Sequence, residues 1–214
     1  MIIKTKEKII KAGKEILEAN LVTGTWGNIS LRDEKEEVFV ITPSGMDYYD
    51  LVPENLVTVD FDGNVVEGQK KPSTETSVHA SIYKIRPDVK AIIHTHSIHA
   101  SACAAACEPI PCLLEDVAAL VGGDIGVAQY ALPGTPQLAQ NVIEALGDRH
   151  AVLMANHGVL CVGPDLDETI KTCRIVEKAA LVYINCKILG KYHRLKDEHV
   201  KTVRSNYLYR YGQK

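Results

Sequence analysis

The chain has 214 residues, 46% of them hydrophobic and 24% charged, with a net charge of −3. That length supports one domain with a full hydrophobic core, and the slightly acidic balance argues against nucleic acid as the main partner. An anionic substrate must then be held by a local site, because the protein's overall field does not attract it.

The predicted elements run as follows. Lys4 to Ala19 carries the stripe Ile9, Gly13, Ile16, Leu17 of an amphipathic helix, and its charged start lacks the apolar core of a signal peptide. Short strands are expected over Asn28 to Leu31, Val38 to Thr42, Leu56 to Asp60 and Val65 to Glu67, with Asp62-Gly63-Asn64 turning between the last two. Ser73 or Thr74 caps a helix that ends at Arg86-Pro87. A strand at Val89 to Ile93 and an alanine-rich helix from Ile98 to Cys107 follow. After Gly122-Gly123 come a strand near Val127 to Tyr130, a helix from Pro136 to Leu146 and strands at Ala151 to Met154 and Val159 to Val162. A long helix spans Leu166 to Leu189, and the tail from Asp197 to Lys214 is charged and then rich in tyrosine. The layout is one α/β domain over residues 1–214, a central sheet flanked by helices, with no segment able to span a membrane.

Cys103, Cys107, Cys112, Cys161, Cys173 and Cys186 stand in apolar surroundings and are expected to be reduced and buried, as in a cytoplasmic protein.

The chemistry concentrates in five short motifs. His94 and His96, in Ile-His-Thr-His-Ser, are two residues apart at a strand end, so both imidazoles project to one face and form a chelate for a divalent metal. His157, in Asn-His-Gly at the end of another apolar strand, adds a third ligand, and zinc suits a set of this kind. Three loops join them: Gly24-Thr25-Trp26-Gly27-Asn28, Thr42-Pro43-Ser44-Gly45 and Lys71-Pro72-Ser73-Thr74-Glu75. Backbone N–H groups and small hydroxyls of this kind hold phosphate, although each loop alone also reads as a plain turn or cap. Glu75 has two readings: the closing residue of a capping box, or a carboxylate beside the histidines that ligates the metal and then acts as a base.

Taken in order, Gly-Thr-X-Gly-Asn-Ile-Ser, Ile-Thr-Pro-Ser-Gly, Pro-Ser-Thr-Glu, His-Thr-His and Asn-His-Gly resemble the class II aldolase/adducin head family, in particular its fuculose-phosphate aldolase branch. The resemblance implies a three-layer α/β/α domain with a mostly antiparallel sheet, assembled as a cytoplasmic homotetramer with sites at subunit interfaces. It also implies one Zn²⁺ per subunit on Glu75, His94, His96 and His157, with phosphate held by Gly27, Asn28, Ser44, Gly45, Ser73 and Thr74. The implied activity is that of a class II aldehyde-lyase. It would reversibly cleave a short ketose 1-phosphate, similar to L-fuculose 1-phosphate, to dihydroxyacetone phosphate and a small aldehyde such as lactaldehyde. Pentulose-phosphate 4-epimerisation and methylthioribulose-1-phosphate dehydration use related chemistry, and an adducin-like head would be non-catalytic.

By the same resemblance Glu75 serves as acid/base, and Tyr211, in a tail reaching toward a neighbouring subunit, handles the proton on the aldehyde oxygen, with Tyr207 and Tyr209 as close rivals. Glu115 stands where family members differ, as a second acid/base or as a surface loop residue. Trp26 occupies a position where small residues are usual, and the motifs assign it no role.

Overall fold

The computed structural model describes residues 2–33 and 37–212. Its frame is a sheet of eight strands in the order β4-β3-β2-β1-β5-β8-β7-β6. These are β1 (Asn28–Arg32), β2 (Val38–Ile41), β3 (Val57–Asp60), β4 (Val65–Glu67), β5 (Ala91–Thr95), β6 (Val127–Ala128), β7 (Ala151–Met154) and β8 (Gly158–Gly163). Neighbours pair antiparallel except β6 with β7, which are parallel. Helices cover both faces, which gives the α/β/α layering that the family resemblance implies.

The alternation within β5 shows how the layers are filled. Ala91 and Ile93 join the core beneath α1 (Ile2–Glu18), α3 (Ile98–Ala105), α4 (Glu115–Leu120) and α6 (Leu166–Ile188). Ile92 points the other way, into the core beneath α2 (Thr76–Ile85) and α5 (Pro136–Leu146), because successive strand side chains take opposite faces. His94 has the same parity as Ile92 and so belongs to the α2 face.

The helices are amphipathic for the ordinary reason. Along α6 the buried side chains Leu166, Ile170, Cys173, Val176 and Ala180 recur every three or four residues. Asp165 caps this helix by accepting from Glu168 N at 2.7 Å, and Thr135 caps α5 by accepting from Leu138 N at 3.3 Å, with Pro136 at the first helical position.

Several expectations are corrected. The helix after His96 stops at Ala105, and Cys107 lies beyond it in a left-handed turn at φ 51°. All six cysteines are free, but Cys107 is exposed and Cys186 half-buried, so only four are core residues. The strand at Val127 is two residues long and ends at Ala128. The tail is a helix, α7 (Asp197–Arg210), packed on α4. Among the described residues no helix is long and apolar enough to cross a membrane.

Candidate active site

Sheet register builds the centre of the site. Asn28 on β1 lies directly opposite His94 on β5, and cross-strand partners share a face. Helix α2 crosses that face, and Glu75, the residue before its first turn, points between them. Asn28 Nδ2 donates to Glu75 Oε2 at 2.9 Å, and His94 Nε2 lies 3.4 Å from the same oxygen. His157 ends the tight connection from β7 to β8, whose last pair is Met154 with Gly158. Asn156, at φ 55°, makes the reversal, and His157 Nε2 arrives 3.1 Å from Glu75 Oε1.

The two motif glycines permit this convergence. A Cβ on Gly27, which sits at φ +86°, would lie 2.6 Å from His94 O, and one on Gly158 would lie 2.5 Å from Thr95 O. Both loops therefore press directly on the end of β5 that carries the histidines.

His94 and His96 turn their rings to one side and to each other, as their spacing predicts. Their Nε2 atoms are 2.8 Å apart, and the ligand nitrogens of His94, His96 and His157 all lie within 4.8 Å of one another. His94 Nδ1 donates to Val159 O at 2.9 Å. A carbonyl only accepts, so this bond fixes the tautomer and leaves Nε2 as a bare lone pair turned to its neighbours.

The electrostatics oppose protonation of His96 and His157 and keep the Glu75 carboxylate ionised. Burial, reinforced by His94 and His157, pushes His96 down to about 4. Burial and then His94 lower His157. Burial alone would raise Glu75, but His94, His157 and the Asn28 hydrogen bond outweigh it and hold the carboxyl below its ordinary value. Glu75 Oε1 and Asn28 Oδ1 are buried and accept no hydrogen bond. Lone pairs gathered this closely, with too few protons among them, are what a divalent cation satisfies, so His94, His96, His157 and Glu75 fit a metal of the zinc type.

Glu75 is not the closing residue of a capping box. Helix α2 begins at Thr76, Glu75 occupies the cap position, and its side chain makes no cap hydrogen bond. Ser73 Oγ accepts from Glu75 N at 3.3 Å, so Ser73 supports the turn that aims Glu75 at the histidines.

A cavity of about 260 Å³ opens above this cluster. Its lining contains Gly27, Asn28, Ser44, Gly45, Ser73 and Thr74, each of the positions expected to hold phosphate. The 42–45 and 71–75 loops are laced together, Ser73 N donating to Thr42 O at 3.1 Å and Ser44 N to Lys71 O at 3.0 Å, so they form one rigid rim.

Glu115 and Tyr211 do not line this cavity. They share a separate cleft of about 740 Å³ between α4, α6 and α7. Glu115 opens α4 and is exposed, and Tyr211, 71% exposed, follows α7 with its ring 5.3 Å from that of Tyr207. Tyr207 hydrogen-bonds to Glu168 of its own chain.

Three neighbours had no role assigned from the sequence. Trp26 lies with its ring 5.5 Å from that of His96, and Pro133 lines the cavity. Below the site His79 Nδ1 meets Ser30 Oγ at 2.7 Å, and Ser30 Oγ meets Tyr83 OH at 2.8 Å. His79 lies one turn beyond Glu75, which is the signal that could have found it. A proline in a loop offers none.

The family model for the Class II Aldolase and Adducin N-terminal domain matches residues 7–184. The chain belongs to that family. A solved L-fuculose 1-phosphate aldolase is similar to this class II aldolase family chain at TM-score 0.93 and 37% identity, over 96% of this chain and 97% of that one. The 5-deoxy-D-ribulose 1-phosphate aldolase of Bacillus thuringiensis serovar kurstaki is 34% identical over 94% of this chain and 93% of its own. The 5-methylthioribulose-1-phosphate/5-deoxyribulose-1-phosphate aldolase of Rhodospirillum rubrum is 36% identical over 86% of this chain and 82% of its own.

Proposed function

We propose that this protein is a zinc-dependent aldolase that reversibly cleaves a short, terminally deoxygenated ketose 1-phosphate, of the L-fuculose 1-phosphate or 5-deoxyribulose 1-phosphate type. The products are dihydroxyacetone phosphate and a small aldehyde such as lactaldehyde. The observation that carries this reading is the convergence of three imidazole Nε2 atoms and the Glu75 carboxylate beneath a rim of small residues suited to phosphate. The names of the aldolase relatives support a lyase acting on a phosphorylated sugar.

His94, His96 and His157, with Glu75, would hold a divalent ion, and such an ion would supply Lewis acidity to the ketose. The chain's own groups do the rest. Ser44, Gly45, Ser73 and Thr74, with Gly27 and Asn28, hold the phosphate and so set which carbon–carbon bond faces Glu75. In the condensation direction Glu75 removes a proton from the dihydroxyacetone phosphate carbon that becomes C3. In cleavage, as the C3–C4 bond breaks, it returns one to that carbon. Asn28 keeps the carboxylate aimed through its hydrogen bond to Oε2.

The other proton leaves the C4 hydroxyl as the aldehyde forms, and Tyr211 or Glu115 is the group assigned to it. Both lie in the cleft away from the histidines of their own chain, so this role requires that they reach the site of a neighbouring subunit in a homotetramer.

The decisive assay incubates the zinc-loaded protein with L-fuculose, 5-deoxyribulose, 5-methylthioribulose and ribulose 1-phosphates and measures dihydroxyacetone phosphate. Release that stops on chelation and returns with Zn²⁺ is the expected result. No release from any of the four would overturn the proposal.

A further inference from the structure

Trp26 is the chain's single tryptophan, and it stands 65% exposed. A large indole left in water forgoes its main contribution to stability, so its placement calls for another cause. The backbone holds it there. Gly27 beside it is pinned against His94 O, and Trp26 N donates to Thr23 O at 3.3 Å. The ring leans on the His96 imidazole at 5.5 Å and 49°, inside the lining of the cavity.

Through its neighbour Gly27, Trp26 borders the rim, but its ring stands on the His96 side of the imidazole cluster. Glu75, which continues the 71–75 loop, reaches His94 and His157, whereas Trp26 touches His96. A ketose with its phosphate against Ser44, Gly45, Ser73 and Thr74 and its carbonyl at the imidazoles would turn its far end to the His96 side, where the indole stands.

We propose that Trp26 is a specificity-determining residue, the wall against which the substrate's terminal methyl or methylthio group packs. This inference rests on the aldolase reading. The face of an indole offers a terminal hydroxyl no acceptor to replace the water it loses, while a methyl group gives up nothing and a thioether sulfur gains contact with the ring. Relatives that act on 5-deoxy and 5-methylthio ribulose phosphates handle sugars with such ends.

The test uses the zinc-loaded, full-length protein with 5-deoxyribulose 1-phosphate and ribulose 1-phosphate, which differ only in the terminal hydroxyl. One methylene or one hydroxyl of difference in a hydrophobic pocket changes discrimination by roughly 10- to 200-fold. With one wall made by the indole, Trp26→Ala should lower the kcat/KM ratio between the two substrates about tenfold, at the low end of that range. Trp26→Phe should restore most of the ratio, and zinc content should not change. An unaltered ratio in Trp26→Ala overturns the proposal, as it would if the indole merely packed on a second copy of the chain.

Fluorescence of this single indole, read on rapid mixing, reports the contact independently of turnover. If neither ketose is cleaved, the aldolase reading still stands or falls on L-fuculose and 5-methylthioribulose 1-phosphates. In that event a response to the 5-deoxy sugar that exceeds the response to ribulose 1-phosphate still supports the contact, and equal or absent responses refute it.

Discussion

Replacing His79 by asparagine should flatten the acid limb of the protein's stability curve. The imidazole is fully buried, its Nδ1 is bonded to Ser30 Oγ, and its Nε2 has no hydrogen-bond partner. Burial, opposed by Glu75 and aided by His94, lowers its pKa from 6.5 to about 3. The unfolded chain therefore binds a proton that the folded protein refuses. This group's stabilising effect is complete above its unfolded pKa and is lost as the pH falls toward the folded value. Between about pH 7.5 and about pH 5, an unfolded imidazole of ordinary pKa gains roughly 2 kcal/mol from protonation, while the folded one stays neutral. His79→Asn keeps a short polar group beside Ser30 and removes the titration. Urea unfolding of metal-stripped protein, at matched concentrations and at both pH values, measures the difference. The wild type should lose about 2 kcal/mol more than the variant on acidification, whatever the variant's absolute stability. His96 and His150, both lowered to about 4 chiefly by burial, add to the acid sensitivity of each protein and cancel in the comparison. A variant as acid-sensitive as the wild type would show that His79 takes up its proton in the folded state, and the reasoning would fail.

Glu75→Gln should retain the fold, since Glu75 makes no side-chain cap bond, and should lower turnover by roughly 10²- to 10⁴-fold; near-normal kcat in a steady-state assay would remove it as the acid/base. His96→Ala should leave purified protein with little zinc by elemental analysis, and full metal with full activity would refute the ligand assignment. Deleting the chain from Tyr211 onward, or Tyr211→Phe, should lower kcat on the order of 10²-fold with zinc intact. Tyr207→Phe should instead reduce unfolding stability by about 1 kcal/mol without changing kcat, because its hydroxyl is engaged with Glu168 of its own chain. Equal kinetic losses in the two tyrosine variants would remove that distinction.

Much of the fold was legible because the signals are local. The apolar, β-branched run leading into β5, the stripe of α6 and the proline start of α5 each reflect a local preference of the backbone, and the motifs place His94, His96 and His157 at strand ends. Helix α7 was not legible. Only Val200 is buried along its fourteen residues, so it carries no apolar stripe, and its helical state is set by packing on α4. Helix α4 is too short, at six residues, to show a period.

The sequence by itself determined the chemistry present: which residues can ligate, which can hold phosphate, and that the four ligand types coexist. Tertiary structure decided how they are used. Glu75 fits either a cap or a metal site when read along the chain. The register of Asn28 with His94, and the crossing of α2 over that face, turn its carboxylate to the imidazoles. Likewise, His157 lies sixty-three residues beyond His94, and only the pairing of β5 with β8 closes that gap. Spacing along a strand sets which side chains share a face. Contact across strands depends on hydrogen-bonded register between distant segments, and no local pattern encodes that register.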